Sequence, residues 1–149
     1  MQIVGSDSPL FFKAAAVMRE HLPHIEFMPS CQIVFDEGRY YGLITKNGET
    51  VIYDHLILDR TVCNPEIIFI VLTTLFGFGN IVNTFIDVNN AKAQRFVQGI
   101  GFKHTGILRG QPIDLAIWSM TAAEWATNKI RLHFIKQTQK PEEPRQDLA

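Results

Sequence analysis

The segment from Asn80 to Phe102 constrains the fold most, because it joins a strand, a capped helix and a glycine stop. Asn80 to Val88 is rich in residues that favour β-strands. Asn90 can cap the helix that follows, and Gly101 can end it. The helix has one apolar face, which consists of Ala93, Phe96, Val97 and Ile100. Since such a helix must bury that face against a sheet, the segment predicts an α/β fold.

The other elements are predicted from caps, turns and hydrophobic periodicity. Helices are expected over 9–22, ended by Pro23, over 65–76, and from the Thr121–Glu124 capping box to about Ile135. Strands are expected over 31–35, 39–45, 50–59, 102–109 and 113–120. Their order predicts one mixed, mostly antiparallel sheet with helices on both faces, in a single domain over 1–136. The polar residues 137–149 are predicted to form a disordered tail.

Composition limits the possible classes of protein. The 149 residues include 14 basic and 15 acidic ones, and the net charge of -1 gives no indication of nucleic-acid binding. The longest apolar run, Ile67 to Phe76, is too short to span a membrane and predicts a helix buried on most sides. Met1 to Leu10 lacks the pattern of a signal peptide, so a cytoplasmic protein is expected.

The sequence offers no pattern of metal ligands or paired cysteines. The five histidines show no ligand spacing, so no metal site is predicted. Cys31 and Cys63 are interpreted as buried thiols in a reducing compartment, with a disulfide as the less favoured alternative.

The run from Asn90 to Phe102 resembles the second conserved block of the Gcn5-related N-acetyltransferases (GNAT). That block reads Asn, two residues, Ala or Ser, one or two helical turns, then Gly-Phe. Asp114 and Glu124-Trp125 are similar to the ending of the ribosomal-protein N-acetyltransferase branch of this family. The resemblance implies an acyl-CoA N-acyltransferase fold. It also implies transfer of an acetyl group from acetyl-CoA to an amine on a protein or a small molecule.

The same resemblance implies where acetyl-CoA would bind. The cofactor would enter between the strand ending at Asp59 and the strand ending at Val88, with Asn90 and Phe96 holding its pantetheine and thiol end. Family members bind the pyrophosphate on a loop like Gln/Arg-x-x-Gly-x-Gly/Ala, whereas residues 60–66 here contain no glycine. Arg60 is the remaining candidate for the phosphates, or else a solvated residue at a strand end.

A general base is expected on the strand over 50–59, close to the acceptor amine. His55 is the candidate, because its ordinary pKa is near neutrality, and the alternative is a structural histidine. Alternation puts His55 and Asp59 on one face of the strand and Asp54 on the other. Val97 stands where many family members carry a tyrosine as general acid.

The segment Asp54 to Arg60, with a helix ending at Leu75-Phe76-Gly77, resembles a GNAT-like group common in bacteriophages. Part of that group consists of head-assembly or virion-associated proteins. The resemblance implies an alternative function, a non-catalytic protein of virion (head) assembly or an interaction module. Its partners would be virion proteins, and it would be found in the host cytoplasm or the virion.

Overall fold

The computed structural model describes residues 1–22, 25–110 and 112–138, which form seven strands, five α-helices and a 3-10 helix at Arg60–Val62. The strands are β1 (Gln2–Gly5), β2 (Gln32–Asp36), β3 (Tyr40–Asn47), β4 (Thr50–Ile57), β5 (Ile81–Asp87), β6 (Lys103–Leu108) and β7 (Leu115–Thr121). The α-helices are α1 (Pro9–His21), α2 (Pro65–Phe76), α3 (Ala91–Ile100), α4 (Ala122–Ala126) and α5 (Lys129–Thr138).

All seven strands belong to one mixed sheet in the order β1-β2-β3-β4-β5-β7-β6. Only β4 and β5 are parallel among these strands, and each of the other neighbouring pairs is antiparallel. The predicted mixed, mostly antiparallel sheet with helices on both faces is therefore confirmed.

Each face of the sheet buries its own apolar core. On one face α1 packs against β2 and β3, through Phe11, Ala14, Ala15, Met18, Ile33, Phe35, Tyr41 and Leu43. On the other face α2, α3 and α4 cover β4, β5 and β7, through residues that include Val51, Leu72, Leu75, Val82, Val97, Met120 and Trp125. Side chains of successive strand residues alternate between these two cores.

The helix boundaries follow the predicted local signals. Asn64 and Asn90 accept hydrogen bonds from the backbone N–H groups of Ile67 and Ala93, which begins α2 and α3. Thr121 and Glu124 form the predicted capping box. Gly101 ends α3 with a φ of 123°, which strongly favours glycine.

Two strand predictions need correction. The first omission is β1, whose four residues are too few to show a strand pattern. The strand forms at the edge of the sheet, where residues such as Ile3 and Val4 pair with β2. The strand predicted over 50–59 ends at Ile57. Asp59 is not part of it, since its side chain accepts a hydrogen bond from Thr61 N and so begins the 3-10 helix.

Two helix predictions also need correction. The last helix is not continuous, because Asn128 separates α4 from α5: its side chain donates to Ile100 O and accepts from Ile130 N. Helix α2 is not buried on most sides, since it lies on the surface of the sheet and leaves Ile70 43% exposed.

The described part of the chain extends two residues into the predicted tail. Helix α5 continues to Thr138, while 139–149, Pro23 and His24 lie outside the described residues. Cys31 and Cys63 are both free thiols. Within the described ranges, no helix combines the length and the apolar character that crossing a bilayer demands.

Candidate active site

Strands β4 and β5 diverge in the middle of the sheet. They pair in parallel from Thr50 opposite Ile81 to Tyr53 opposite Thr84, and the pairing stops there. Both strands nevertheless continue, β4 to Ile57 and β5 to Asp87. The backbone edges of residues 54–57 and 85–87 are therefore not joined to each other, and a gap opens between them.

A cavity lies beside this gap, between the sheet and helices α2 and α3. The cavity has a volume of about 70 Å³, and it is open to solvent on one side. Its wall is almost entirely apolar on the helix side, where it consists of Ile67, Ile68, Val71, Leu72, Phe96, Val97 and Ile100. A concave apolar site with a few polar groups is the usual form of a small-molecule site.

The polar groups of the cavity come from the sheet. Tyr40, Tyr53, His55 and Thr84 all line it. The Tyr53 and Thr84 hydroxyls are buried, and neither has a hydrogen-bond partner among the residues that the structure describes. Because buried polar groups are nearly always hydrogen-bonded, these two hydroxyls are exceptions among the side chains around the cavity.

Gly42 provides the space for these tyrosines. It lies opposite His55 in the β3–β4 register. A Cβ atom on residue 42 would lie 2.6 Å from Tyr53 Cε2 and 2.9 Å from Tyr40 Oη, so a side chain here would displace the rings. The glycine thus lets both phenols lie across β3 at the wall of the cavity.

His55, the predicted general base, lines the cavity. Its ring stacks on that of Tyr53, with 5.7 Å between the centroids and 18° between the planes. Burial lowers the pKa of His55 to about 4, so the imidazole is neutral at physiological pH. A neutral imidazole with so low a pKa is a weak general base.

Asp54 occupies the other face of β4, toward α1. Its side chain is half-buried, and it has no hydrogen-bond partner among the described residues. Burial raises the pKa of Asp54 to about 6. Alternation along the strand predicts which face Asp54 occupies but not that its side chain is buried. The sequence therefore did not favour Asp54 over His55 as the general base.

Two positive charges lie near Cys63, one of the residues of the cavity wall. Burial raises the pKa of the Cys63 thiol, and the nearby charges of Arg60 and Lys92 oppose that change. Arg60 and Lys92 themselves are exposed. Two cations beside an apolar cavity suit a ligand with an anionic head and an apolar end.

The loop before α2 uses three of the six backbone N–H groups of residues 60–66 for its own hydrogen bonds. The N–H groups of Thr61, Val62 and Cys63 already donate within the loop, to Asp59 and Arg60. Pro65 has no N–H. The glycine-free loop therefore forms a compact turn rather than an open ring of donors.

The structure brings only part of the predicted set together. His55 and Phe96 both line the cavity. Arg60 is exposed and does not line the cavity, but it is near enough to Cys63 to influence the pKa of that thiol. Asn90 is exposed and caps α3 outside the cavity lining. The described residues contain no cluster of three or more His, Cys, Asp or Glu that could hold a metal ion.

Two hydrogen bonds of the Gln94 side chain hold helix α3 over the gap. Trp118 Nε1 of β7 donates to Gln94 Oε1 at 3.2 Å, and Gln94 Nε2 donates to Val88 O at 3.0 Å. Gln94 therefore connects α3 both to β7 and to the chain just beyond β5. This fixes the helix that provides Phe96 and Val97 to the cavity.

Solved structures similar to this arrangement of strands and helices include N-acetyltransferases. A chimera of the spermidine N-acetyltransferase SpeG from Vibrio cholerae and hSSAT is 11% identical and has a TM-score of 0.63, covering 85% of this chain and 99% of that chain. The chain has the GNAT acyltransferase fold. The ribosomal-protein-S18-alanine N-acetyltransferase from Escherichia coli is 11% identical with a TM-score of 0.59, covering 81% of this chain and 93% of its own.

Two of the similar structures contain acetyl-CoA or coenzyme A. The aminoglycoside acetyltransferase AAC(6')-Ib in complex with coenzyme A is 13% identical with a TM-score of 0.52, covering 65% of this chain and 68% of that chain. No family model matches the sequence, and no curated protein is similar to it in sequence. At such low identities the likeness establishes the fold alone.

Proposed function

We propose that this chain transfers an acyl group from a CoA thioester to an amine, at the divergence of β4 and β5. The observation that carries the proposal is the apolar cavity at that divergence, with two unpartnered hydroxyls in its wall. Solved acetyltransferases with the same fold support it, one of them with coenzyme A bound.

The cavity suits the thioester end of the donor. A CoA thioester supplies an activated acyl group with a carbonyl oxygen that accepts hydrogen bonds. Tyr53 and Thr84 each have a covered hydroxyl without a partner among the described residues, and we propose that one of them turns toward such an oxygen when the donor binds. Donors that are already fixed in an apolar site stabilise negative charge that develops on an oxygen.

The phosphate end would be bound differently from the family pattern. Because three of the six N–H groups of residues 60–66 are already bonded and the loop lacks glycine, we propose that the side chains of Arg60 and Lys92 take most of the phosphate contacts. Glu66 in the first turn of α2 opposes them. Binding through exposed side chains depends on salt, so CoA affinity should fall as ionic strength rises.

We propose Asp54 as the general base that removes a proton from the amine. Its pKa of about 6 keeps it charged at pH 7 and still basic enough to accept a proton. His55, with a pKa of about 4, is a poorer base at that pH. We propose that His55 forms part of the wall of the donor cavity, where its ring stacks on that of Tyr53.

The acceptor is proposed to be an amine, on a small molecule or a protein. The similar structures are named for spermidine, aminoglycoside and ribosomal-protein alanine acetylation. These three kinds of amine form the first panel to test. Thiol release from acetyl-CoA would be measured with each acceptor, across pH 5 to 9.

We expect turnover with at least one acceptor, and Asp54→Asn should remove most of it. His55→Ala should retain a similar dependence on pH. If His55→Ala abolishes the pH dependence while Asp54→Asn keeps it, His55 is the base. An absence of both CoA binding and thiol release would contradict the proposed function.

The virion-assembly alternative rests on the sequence resemblance, and no observation of the structure favours it over acyl transfer. The glycine-free loop is compatible with a protein that does not bind CoA. A calorimetric titration with CoA separates the two functions, because a non-catalytic assembly protein has no need to bind CoA.

A further inference from the structure

A second cavity lies on the opposite face of the sheet, between α1 and the β2–β3 hairpin. It has a volume of about 150 Å³, and its wall includes Leu10 and Val17 of α1 and Phe35 and Tyr41 of the strands. The donor cavity lies on the other face, under α2 and α3. A CoA thioester bound there leaves the cavity under α1 free for the second substrate.

The cavity under α1 leads to the gap between β4 and β5. Tyr41 lies opposite Leu56 in the β3–β4 register. Leu56 belongs to the part of β4 that no longer pairs with β5, and it packs against the core under α1. Asp54 precedes Leu56 by two residues and so occupies the same face of the strand. Diagonal neighbours of this kind have backbones about 7–8 Å apart, so one small molecule can contact both Tyr41 and Asp54.

The strand side of the cavity wall is aromatic. Phe35 and Tyr41 are buried, and their rings are parallel, with 5° between the planes and 6.0 Å between the centroids. Tyr41 Oη accepts a hydrogen bond from Gly38 N at 3.0 Å, which holds the ring in place. One water requires about 10–15 Å³, so the cavity has room for about ten such groups. That is enough for one ring with a short side chain.

The charges along this path indicate how a ligand is oriented. Beside the gap, the half-buried carboxylate of Asp54 attracts the ammonium form of an amine. The cavity itself carries Lys13 and Glu37, which are both exposed and have opposite charges. Because these two charges offset each other, the cavity provides no net attraction for a second cation. The arrangement therefore suits one amine at the gap and an uncharged body in the cavity.

We propose that the cavity under α1 binds the acceptor, and that the acceptor is a small primary amine with an apolar body, either a single ring or a short alkyl chain. The inference rests on the proposed function, since it names the class of amine that receives the acyl group. The amine lies beside Asp54 at the gap, and the body contacts Val17, Phe35 and Tyr41. A polyamine or an aminoglycoside would leave this apolar wall without a matching surface.

The first test measures thiol release from acetyl-CoA by the whole chain with propyl-, butyl- and hexylamine, phenethylamine and spermidine. Complete burial of one methylene raises affinity about fourfold. Because the cavity is partly open, we expect kcat/KM to rise about twofold to fourfold per methylene from propyl- to hexylamine. Phenethylamine should be as good as hexylamine. Spermidine should be the poorest, since its additional cations would have to enter an apolar cavity.

Binding is measured separately from turnover, by methyl NMR of the whole chain with hexylamine alone. The signals of Leu10, Val17 and Leu56 should shift together and saturate, because these side chains border the path from the cavity to the gap. The signals of Val71 and Leu72 in the donor cavity should stay in place. Acetyl-CoA should give the reverse pattern.

A matched pair of variants on α1 tests the cavity wall. Leu10 lines the cavity and is 44% exposed, so Leu10→Ala leaves the buried core intact. It should lower kcat/KM for hexylamine about threefold to tenfold and leave kcat/KM for propylamine unchanged. Phe12 is 63% exposed on the same helix and is not part of the cavity wall, so Phe12→Ala should change neither value.

A second pair of variants tests the charge balance of the cavity. Lys13→Glu places a second acidic side chain beside Glu37, so the cavity should now attract a cation. The ratio of kcat/KM for 1,6-diaminohexane to kcat/KM for hexylamine should rise about twofold to fivefold. Lys46→Glu makes the same change in net charge at the far end of β3, away from the cavity, and should leave the ratio unchanged.

The outcomes separate this inference from the function on which it rests. If spermidine is acetylated as efficiently as hexylamine, the cavity does not select the acceptor, and the proposed acyl transfer still stands. If no amine supports thiol release and CoA does not bind, both proposals fail. A dependence on chain length that is unchanged in Leu10→Ala, with no shift at Val17, would place the body of the amine elsewhere and overturn the inference.

Discussion

Replacing Asp54 with Asn should stabilise this protein at neutral pH. Burial raises the pKa of Asp54 from its ordinary value of 3.8 to about 6, so the charged carboxylate is costly in the folded state. One pKa unit corresponds to about 1.36 kcal/mol, which gives a cost of about 3 kcal/mol above pH 6. Because the side chain is half-buried and partly screened by solvent, we expect about 2 kcal/mol.

The sign of the effect depends on pH. A raised pKa means that the folded state binds more protons than the unfolded state between pH 3.8 and about 6. The favourable contribution of Asp54 is complete below 3.8 and disappears as the pH rises through 6. Asp54→Asn should therefore gain stability over the natural protein above pH 6, and the gain should vanish near pH 4.

His55 has the opposite pH dependence but does not obscure the result. Burial lowers the pKa of His55 to about 4, so stability falls as the pH drops from 6.5 toward 4. Both proteins carry this histidine, and its ring faces the other core. Subtracting the two stability curves isolates the contribution of Asp54.

The assay is urea unfolding of both proteins at pH 4, 5, 6, 7 and 8, with the m-values compared. Asp59→Asn is the matched control. The pKa of Asp59 is lowered by hydrogen bonds from the Thr61 backbone, the Thr61 hydroxyl and Arg39. Its replacement should lower stability at neutral pH. An Asp54→Asn protein that is no more stable than the natural one at pH 8 would refute the reasoning.

Three further substitutions test the packing around the site. Gly42→Ala should lower the free energy of unfolding by about 1–3 kcal/mol and weaken CoA binding, as measured by urea unfolding and calorimetry, because a Cβ here would lie 2.6 Å from Tyr53. Gly99→Ala, where nothing lies within 4 Å, should raise stability by about 0.5–1 kcal/mol in the same unfolding assay. Asn128→Ala should cost about 1–2 kcal/mol and speed amide exchange in α5, since it removes bonds to Ile100 O and Ile130 N.

Helix boundaries could be predicted because they depend on neighbours in the chain. Asn64 and Asn90 cap their helices through residues three positions on, and Gly101 ends α3 through its own φ angle. The break at Asn128 could not be predicted, since its main partner is Ile100, 28 residues earlier. Strand β1 forms because it pairs with β2, and its own four residues do not predict it.

The candidate site was only partly predictable for the same reason. The sequence indicated β4 as the strand of interest, with His55 and Asp54 on opposite faces. It could not show where β4 and β5 stop pairing, because the paired residues are 31 positions apart along the chain. The unpartnered hydroxyls of Tyr53 and Thr84 are a property of the assembled cavity.

The most direct test of the account is to map where a CoA thioester binds. Amide and methyl NMR spectra of the whole chain would be recorded while acetyl-CoA is added. We expect shifts concentrated at residues 53–57 and 84–87 and along the α2 and α3 residues that line the cavity, with α1 little affected. Saturable shifts confined to α1 and β1, or no shifts at millimolar acetyl-CoA, would contradict a donor site at the divergence of β4 and β5.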